Sequence, residues 1–136
     1  MPSPPPRDDV RLIWQGMDTR TPSRPGRLTG LRRHTRSTVE PVDTPTEQDN
    51  LVVRGDNLPA LRALHPLVGA CVRLVYIDPP YNTGSSDYLY PDRRSRADWL
   101  SFVRERVDAA LPLLRGDAAF VIQCSFHQSA YLEVML

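Results

Sequence analysis

The sequence predicts an α/β fold in which three parallel strands alternate with helices, preceded by an irregular Pro/Arg-rich segment. Three observations carry this reading. Residues 50–136 pass from strand to helix three times, an order that implies right-handed crossovers and a parallel sheet with helices on both faces. The run Cys71–Ile77 is β-branched and nearly continuously apolar, the pattern of a strand buried on both faces. Eight of the 14 prolines fall in residues 1–50, where they work against regular structure. Residues 1–49 are therefore read as an irregular N-terminal segment and residues 50–136 as the folded unit.

Within the first segment, residues 1–9 are Pro-rich and expected to be disordered. Val10–Met17 is a short apolar run, read as one strand or turn anchored by Trp14. Positions 20–36 hold six arginines (Arg20, Arg24, Arg27, Arg32, Arg33, Arg36) and no acid. Such a run is either a solvated linker or a phosphate-contacting arm. A mitochondrial targeting reading is weakened by Asp8, Asp9 and Asp18.

From Asn50 the texture changes. Leu51–Arg54 reads as the first strand, ending in Gly55-Asp56. Leu58, Leu61 and Leu64 share one face of a helix over 57–65, with Asp56 or Asn57 as cap and Pro59 in the first turn. His65-Pro66 and Gly69 close that helix, and Cys71–Ile77 is the second strand. A polar loop over 82–96 leads to a helix over 98–114, with Trp99, Phe102, Val103, Arg106, Val107, Ala110 and Leu114 on one face. Pro112 is expected to disturb its last turn and Arg115-Gly116-Asp117 to end it. Ala118–Cys124 is the third strand, and a third helix starts at His127. His127 reads as a helix-start residue, not a base. The apolar helical pattern reaches Leu136 without a Gly, Asn or Pro stop signal, so the chain is expected to be a piece of a longer one.

Composition narrows the chemistry. The 17 basic residues are all Arg and face 16 acids, for a net charge of +1. A Lys nucleophile, a Schiff base and a P-loop lysine are thereby excluded, and any nucleic-acid contact must come from a local patch. Cys71 and Cys124 form no metal-type cluster, and no metal is expected. Without a signal peptide or long apolar run, the chain is expected to be cytoplasmic and not membrane-bound.

Ligands of parallel α/β sheets bind beyond the carboxyl ends of the strands. Gly55-Asp56, Asp78-Pro79-Pro80-Tyr81 and the residues after Cys124 fall there. Consecutive prolines hold the backbone extended and remove two N–H donors, leaving the Asp78 and Pro79 carbonyls free to point outward. The Asp78 carboxylate adds an acceptor, and Tyr81 a flat ring. An extruded adenine is the complement: an amine with two N–H donors on a flat base. Two acceptors on the amine hydrogens would localise the N6 lone pair for attack on a sulfonium methyl. They would also stabilise the positive charge developing there. Tyr81 would hold the base by stacking, worth roughly 1–3 kcal/mol. The plainer alternative is a stiff turn at a strand end.

The stretch LVYIDPPYNTG, with GDNLPALRAL upstream, resembles the β-class N6-adenine DNA methyltransferases, and within them the modification subunits of type III restriction–modification systems. Leu12–Gly16, Tyr88-x-Tyr90-x-Asp92, Trp99–Phe102, Leu113–Asp117 and Ala130–Leu132 extend the likeness. It covers most of this chain from Leu12 but only the front of such a protein. The resemblance implies part of a Rossmann-like, S-adenosylmethionine-dependent methyltransferase sheet. It implies that Asp78, Pro79 and Tyr81 bind and activate the adenine, that Pro80 shapes the turn and that Asn82 fixes the loop. Gly55 and Asp56 lie where such folds contact the adenosine of S-adenosylmethionine; Asp56 reads equally as a helix cap. DNA, a restriction subunit and a second modification subunit are the implied partners.

Departures from the family pattern are as informative. Met17 stands where Lys is usual, and Gln123–Gln128 is less acidic than the usual strand end. None of the seven glycines forms the Gly-x-Gly of a cofactor loop, so the chain alone is expected to be inactive. Methylation of cytosine N4, an RNA base or a protein amide is a neighbouring reading, although those families more often start the motif with Ser or Asn. A non-catalytic nucleic-acid-binding or assembly fragment, motivated by the arginine run, is a different one. A decayed gene product is the dullest.

Overall fold

The computed structural model describes residues 12–19, 27–46, 49–84 and 93–136. The Pro-rich start, Arg20 and Arg24 of the arginine run, and the Tyr88–Asp92 segment lie outside the described residues.

Helix α1 (Asn57–Val68) starts because Asp56 is extended and its carboxylate accepts the Leu58 amide at 2.9 Å, satisfying a donor that the first turn leaves open. It runs through Pro66 and stops at Gly69, whose φ of 60° places it in the left-handed region that glycine tolerates. Strand β3 (Val72–Ile77) follows. Helix α2 (Arg96–Ala110) is capped by Ser95, whose hydroxyl accepts the Asp98 amide at 3.1 Å and donates to the Asp98 carboxylate at 2.7 Å. Pro112 cannot continue an α-helical ladder, and Leu111–Leu113 tightens into a 3₁₀ turn, ending the helix earlier than its apolar pattern. Strand β4 (Leu114–Ile122) and helix α3 (Phe126–Met135) complete the order.

β3 and β4 pair in parallel, with Val75 opposite Phe120 and Ile77 opposite Ile122. Arg115-Gly116-Asp117 does not end a helix but lies inside β4. The register jumps from Val72–Leu114 to Leu74–Ala119, so these residues arch out of the ladder, where Arg115 pairs with Asp117.

Two expectations about the sheet are corrected. It has two strands among the described residues, not three. Leu51–Arg54 joins no ladder, and Val52 is 97% exposed. An apolar β-branched run becomes a strand only where its backbone meets a neighbouring edge, and Leu51–Arg54 aligns with neither free edge of the β3–β4 pair. Nor is β3 buried on both faces. One face is covered: Ile77, Phe120 and Ile122 pack against Trp99, Leu100, Val103 and Val107 of α2 and Leu132 of α3. The opposite face is open, with Leu74, Tyr76 and Val121 exposed.

Within the N-terminal segment, β1 (Arg32–His34) and β2 (Val39–Pro41) form a short antiparallel hairpin. The Arg33 guanidinium grips Asp49 with two bonds of 3.0 and 2.9 Å and holds that carboxyl far below the usual carboxylate range. That contribution is present above the ordinary carboxylate pKa and is lost only as the solution becomes strongly acidic. Further upstream, Trp14 packs against the α2 cluster, and its indole N–H donates to Ser101 Oγ at 2.8 Å, as an anchor should.

Among the described residues, one polar group in the packed interior is unmatched. Gln128 of α3 is 2% exposed, and its Oε1 accepts no hydrogen bond. Replacing a buried orphan acceptor by an apolar chain of like shape removes a desolvation penalty. Gln128→Met is expected to stabilise the fold by about 1 kcal/mol, read as a higher denaturation midpoint in urea.

Candidate active site

The two parallel strands end together, tied by the Gln123 amide donating to the Ile77 carbonyl at 2.9 Å. Beyond that bond the chain enters Asp78-Pro79-Pro80-Tyr81, and three side chains from other elements, with one from the loop's own end, fix it. The Trp99 indole N–H of α2 donates to the Pro80 carbonyl at 2.6 Å. The Ser125 hydroxyl donates to the Tyr81 carbonyl at 3.1 Å. Ser125 begins α3, yet its side chain does not cap that helix; it is spent on the loop instead. The Gln123 amide group donates to the Tyr81 hydroxyl and accepts from the Tyr76 hydroxyl. Asn82 takes a left-handed φ of 55°, a conformation Asn tolerates better than most residues, and its Oδ1 accepts the Arg94 amide at 2.8 Å.

These tethers leave a defined set of groups available. Pro80 and Tyr81 have bonded carbonyls, whereas the Pro79 carbonyl accepts no bond. Asp78 is exposed, while Pro79, Pro80 and Tyr81 are half-buried. Partial desolvation raises the Tyr81 phenol above its ordinary pKa; the bond from Gln123 works against this, and neighbouring Asp78 adds to it. Tyr81 is therefore a neutral group at physiological pH, held at its hydroxyl end by Gln123 and at its backbone by Ser125. Side chains alternate along a strand, so Leu74, Tyr76 and then Asp78 follow one side of β3, and Ala119, Val121 and Gln123 follow the same side of β4. The candidate site thus opens onto the uncovered face of the sheet.

Asp56 and Gly55 sit on a second loop, before α1. Asp56 serves as the α1 cap through one carboxylate oxygen, which also receives Arg106 Nη2 at 3.4 Å; its side chain remains 64% exposed. Gly55 has a φ of 152°, and a Cβ built there would meet nothing within 4 Å. An exposed carboxylate beside open glycine backbone fits one hydroxylated or amino-bearing edge of a nucleoside. Among the described residues no group of three or more His, Cys, Asp or Glu could hold a metal ion, and no helix is long and apolar enough to cross a membrane.

The sequence profile of the DNA methylase family matches residues 72–136, the span that runs from β3 through the tethered loop to the end of the chain. Residues 72–136 belong to the DNA methylase family. Among relatives of this chain, the probable type III restriction-modification enzyme HindVI Mod subunit of Haemophilus influenzae is 38% identical over 91 residues, covering 67% of this chain and 12% of that protein. The StyLTI Mod subunit of Salmonella typhimurium is 31% identical over 115 residues, covering 64% of this chain and 18% of the relative. The type II methyltransferase M.KpnI of Klebsiella pneumoniae is 26% identical over 106 residues, covering 72% and 25%. The chain therefore spans a quarter or less of the length of these relatives. No solved structure matches.

Gln123, Trp99, Arg94 and Arg106 complete the two loops with Ser125, and of these five residues sequence reasoning places only Ser125 at the ligand end. The strand-end rule points to the residues after Cys124, the first of which, Ser125, lies two positions past Gln123. Grafted into a full-length relative, Gln123→Leu removes both bonds that hold the Tyr81 and Tyr76 hydroxyls. A loss of about tenfold in methyl transfer is expected, with the position of a misplaced reacting group as its cause, checked by steady-state kinetics beside a Gln123→Glu variant that keeps one acceptor.

Proposed function

We propose that this chain carries the target-base half of a DNA adenine-N6 methyltransferase, in the manner of a type III modification subunit. The observation that carries the reading is the tethered loop, in which the Asp78 carboxylate, the unbonded Pro79 carbonyl and the Tyr81 ring stand together at the carboxyl end of a parallel pair. The acceptors take the two N–H donors of the target amine and favour its charged, tetrahedral form. Tyr81 holds the flipped base. Pro80 keeps the loop extended and offers its carbonyl to Trp99, and Asn82 closes the turn.

S-adenosylmethionine supplies the methyl group when bound. Asp56 and Gly55 are the residues of this chain that would meet its adenosine, and the exposed carboxylate beside open backbone is compatible with that role. DNA is the substrate, and a restriction subunit and a second modification subunit are the expected partners, in line with the names of the relatives.

The test is a chimera in which residues 12–136 replace the matching segment of the Haemophilus influenzae relative. Transfer of labelled methyl from S-adenosylmethionine to duplex DNA is measured, and the product base is identified. N6-methyladenine supports the reading. N4-methylcytosine, or methyl on RNA alone, overturns the adenine assignment. A folded chimera without transfer, beside an active parent, overturns the activity.

A further inference from the structure

Helix α2 touches both candidate loops, and the contacts form one continuous path. At its start, the Arg94 amide is bonded to Asn82 Oδ1, and Trp99 holds the Pro80 carbonyl. Further along, Arg106 directs all three guanidinium nitrogens to fixed acceptors: Nε to Asn57 Oδ1 at 2.8 Å, Nη2 to Asp56 Oδ1 at 3.4 Å and Nη1 to the Phe102 carbonyl at 3.0 Å. Between the two ends lies the Phe102 ring, with the Arg106 guanidinium carbon 3.4 Å and the Arg94 guanidinium carbon 4.5 Å from its centroid. Each cation is attracted to the ring's electron-rich face, which lets two like charges share one site. The Arg106 side chain is only 13% exposed. Burial lowers its pKa, and Asp56 opposes that. An arginine held there keeps its charge through its partners, not through solvent.

We propose that Arg106, Phe102 and Arg94 are positioning residues that set the Gly55–Asn57 loop at a fixed distance from the Asp78–Asn82 loop. The proposal rests on the reading of those loops as cofactor-side and base-side. Its chemical motive is that methyl transfer needs reacting atoms within roughly 3–3.5 Å and aligned, so a displacement of about 1 Å costs on the order of a hundredfold. A helix is a stiff spacer. From Trp99 to Arg106 it advances about 10 Å at 1.5 Å per residue, and each end grips one loop. The grip is bidentate on the Asp56–Asn57 side, a geometry that a guanidinium provides and an ammonium does not. Arg104, on the same helix, pairs instead with Asp108 and touches neither loop, which makes it the natural control.

The first measurement uses the full 136-residue chain and amide hydrogen exchange. Arg106→Met keeps an apolar stem over Phe102 and removes every donor. It is expected to speed exchange of the Leu58 amide, which Asp56 holds, by about tenfold. Phe102→Leu is expected to speed exchange of Leu58 and of the Arg94 amide together. Val103 and Val107 should not change in either variant, and Arg104→Met should change none of these sites. Unchanged exchange at Leu58 in Arg106→Met, or faster exchange spread equally to Val103 and Val107, overturns the proposal.

The second measurement uses the chimera. Fewer folded molecules lower kcat at constant KM, whereas a displaced Asp56 raises KM for S-adenosylmethionine. Arg106→Met is expected to raise that KM about tenfold with kcat within about threefold of the parent. If the parent chimera methylates adenine but Arg106→Met leaves KM unchanged, the positioning proposal fails and the functional reading stands. If the parent does not methylate, the functional reading fails, and the exchange experiment alone decides whether α2 sets the two loops.

Discussion

In the chimera with the Haemophilus influenzae relative, replacing Asp78 by Ala is expected to lower methyl transfer by about a thousandfold while leaving the fold unchanged. Asp78 is exposed and caps no helix; its carboxylate accepts from the neighbouring Tyr81 hydroxyl, while Trp99, Ser125 and Gln123 bond other atoms of the loop. Those bonds run to the Pro80 and Tyr81 carbonyls, the Tyr81 hydroxyl and Asn82, and all survive the substitution. On the proposed reading, what is lost is the carboxylate that would accept an amine hydrogen and face the charge developing on the nitrogen. Because that charge grows only toward the transition state, the loss falls on kcat more than on substrate binding. Asp78→Asn separates the two contributions. It keeps one acceptor oxygen but no negative charge, so it should fall between parent and Ala. The Tyr81 pKa should also drop toward its ordinary value in both variants, since the neighbouring carboxylate helps hold it up. Titration of the tyrosine absorbance reads that shift independently of activity. Equal transfer rates in Asp78→Ala and parent would remove the chemical basis of the assignment.

The local features were legible because they depend on neighbours in sequence. Asp56, one of the two caps offered, Gly69 as stop and Pro112 as breaker all act within one turn of their own position, whereas His65-Pro66, read with Gly69 as the close of α1, lies inside the helix. The Asp78–Tyr81 loop was legible for a similar reason: a strand pattern followed by two prolines fixes where the backbone stops pairing. The sheet was less so. Apolar alternation reports which environment a side chain favours, but not whether the covering layer or pairing edge is present. Leu51–Arg54 and the Leu74–Tyr76 side of β3 therefore read as buried and stand exposed. The tethers were illegible for a third reason. Trp99, Gln123, Ser125 and Arg106 reach partners 19 to 50 residues away, and nothing in a single sequence marks a Trp or an Arg as the donor for a distant carbonyl. Trp99 and Arg106 were read as one face of α2. That is true of the helix but omits what their polar ends do.

Trp99 is where the core and the site meet, and its substitution is expected to have the largest effect on stability. The residue is fully buried and sits at the centre of the cluster formed by Leu100, Val103, Val107 and Leu132. Trp99→Ala removes a large apolar surface and leaves a cavity, a change that costs about 3–5 kcal/mol in packed cores. A fold with one covered sheet face has little surplus, so the Ala variant is expected to be largely unfolded at room temperature. Trp99→Phe is the informative companion. It refills most of the volume but cannot donate to the Pro80 carbonyl, which the indole N–H meets at 2.6 Å. An acceptor deprived of its partner in a half-buried place costs about 1–3 kcal/mol, so Trp99→Phe should remain folded with a lowered denaturation midpoint. Its loop, released at one of its anchors, should then exchange the Asn82 and Thr83 amides faster than the parent does. If Trp99→Phe matched the parent in both midpoint and loop exchange, the indole would be a space-filling residue alone. The Pro80 carbonyl would then owe its position to proline stiffness.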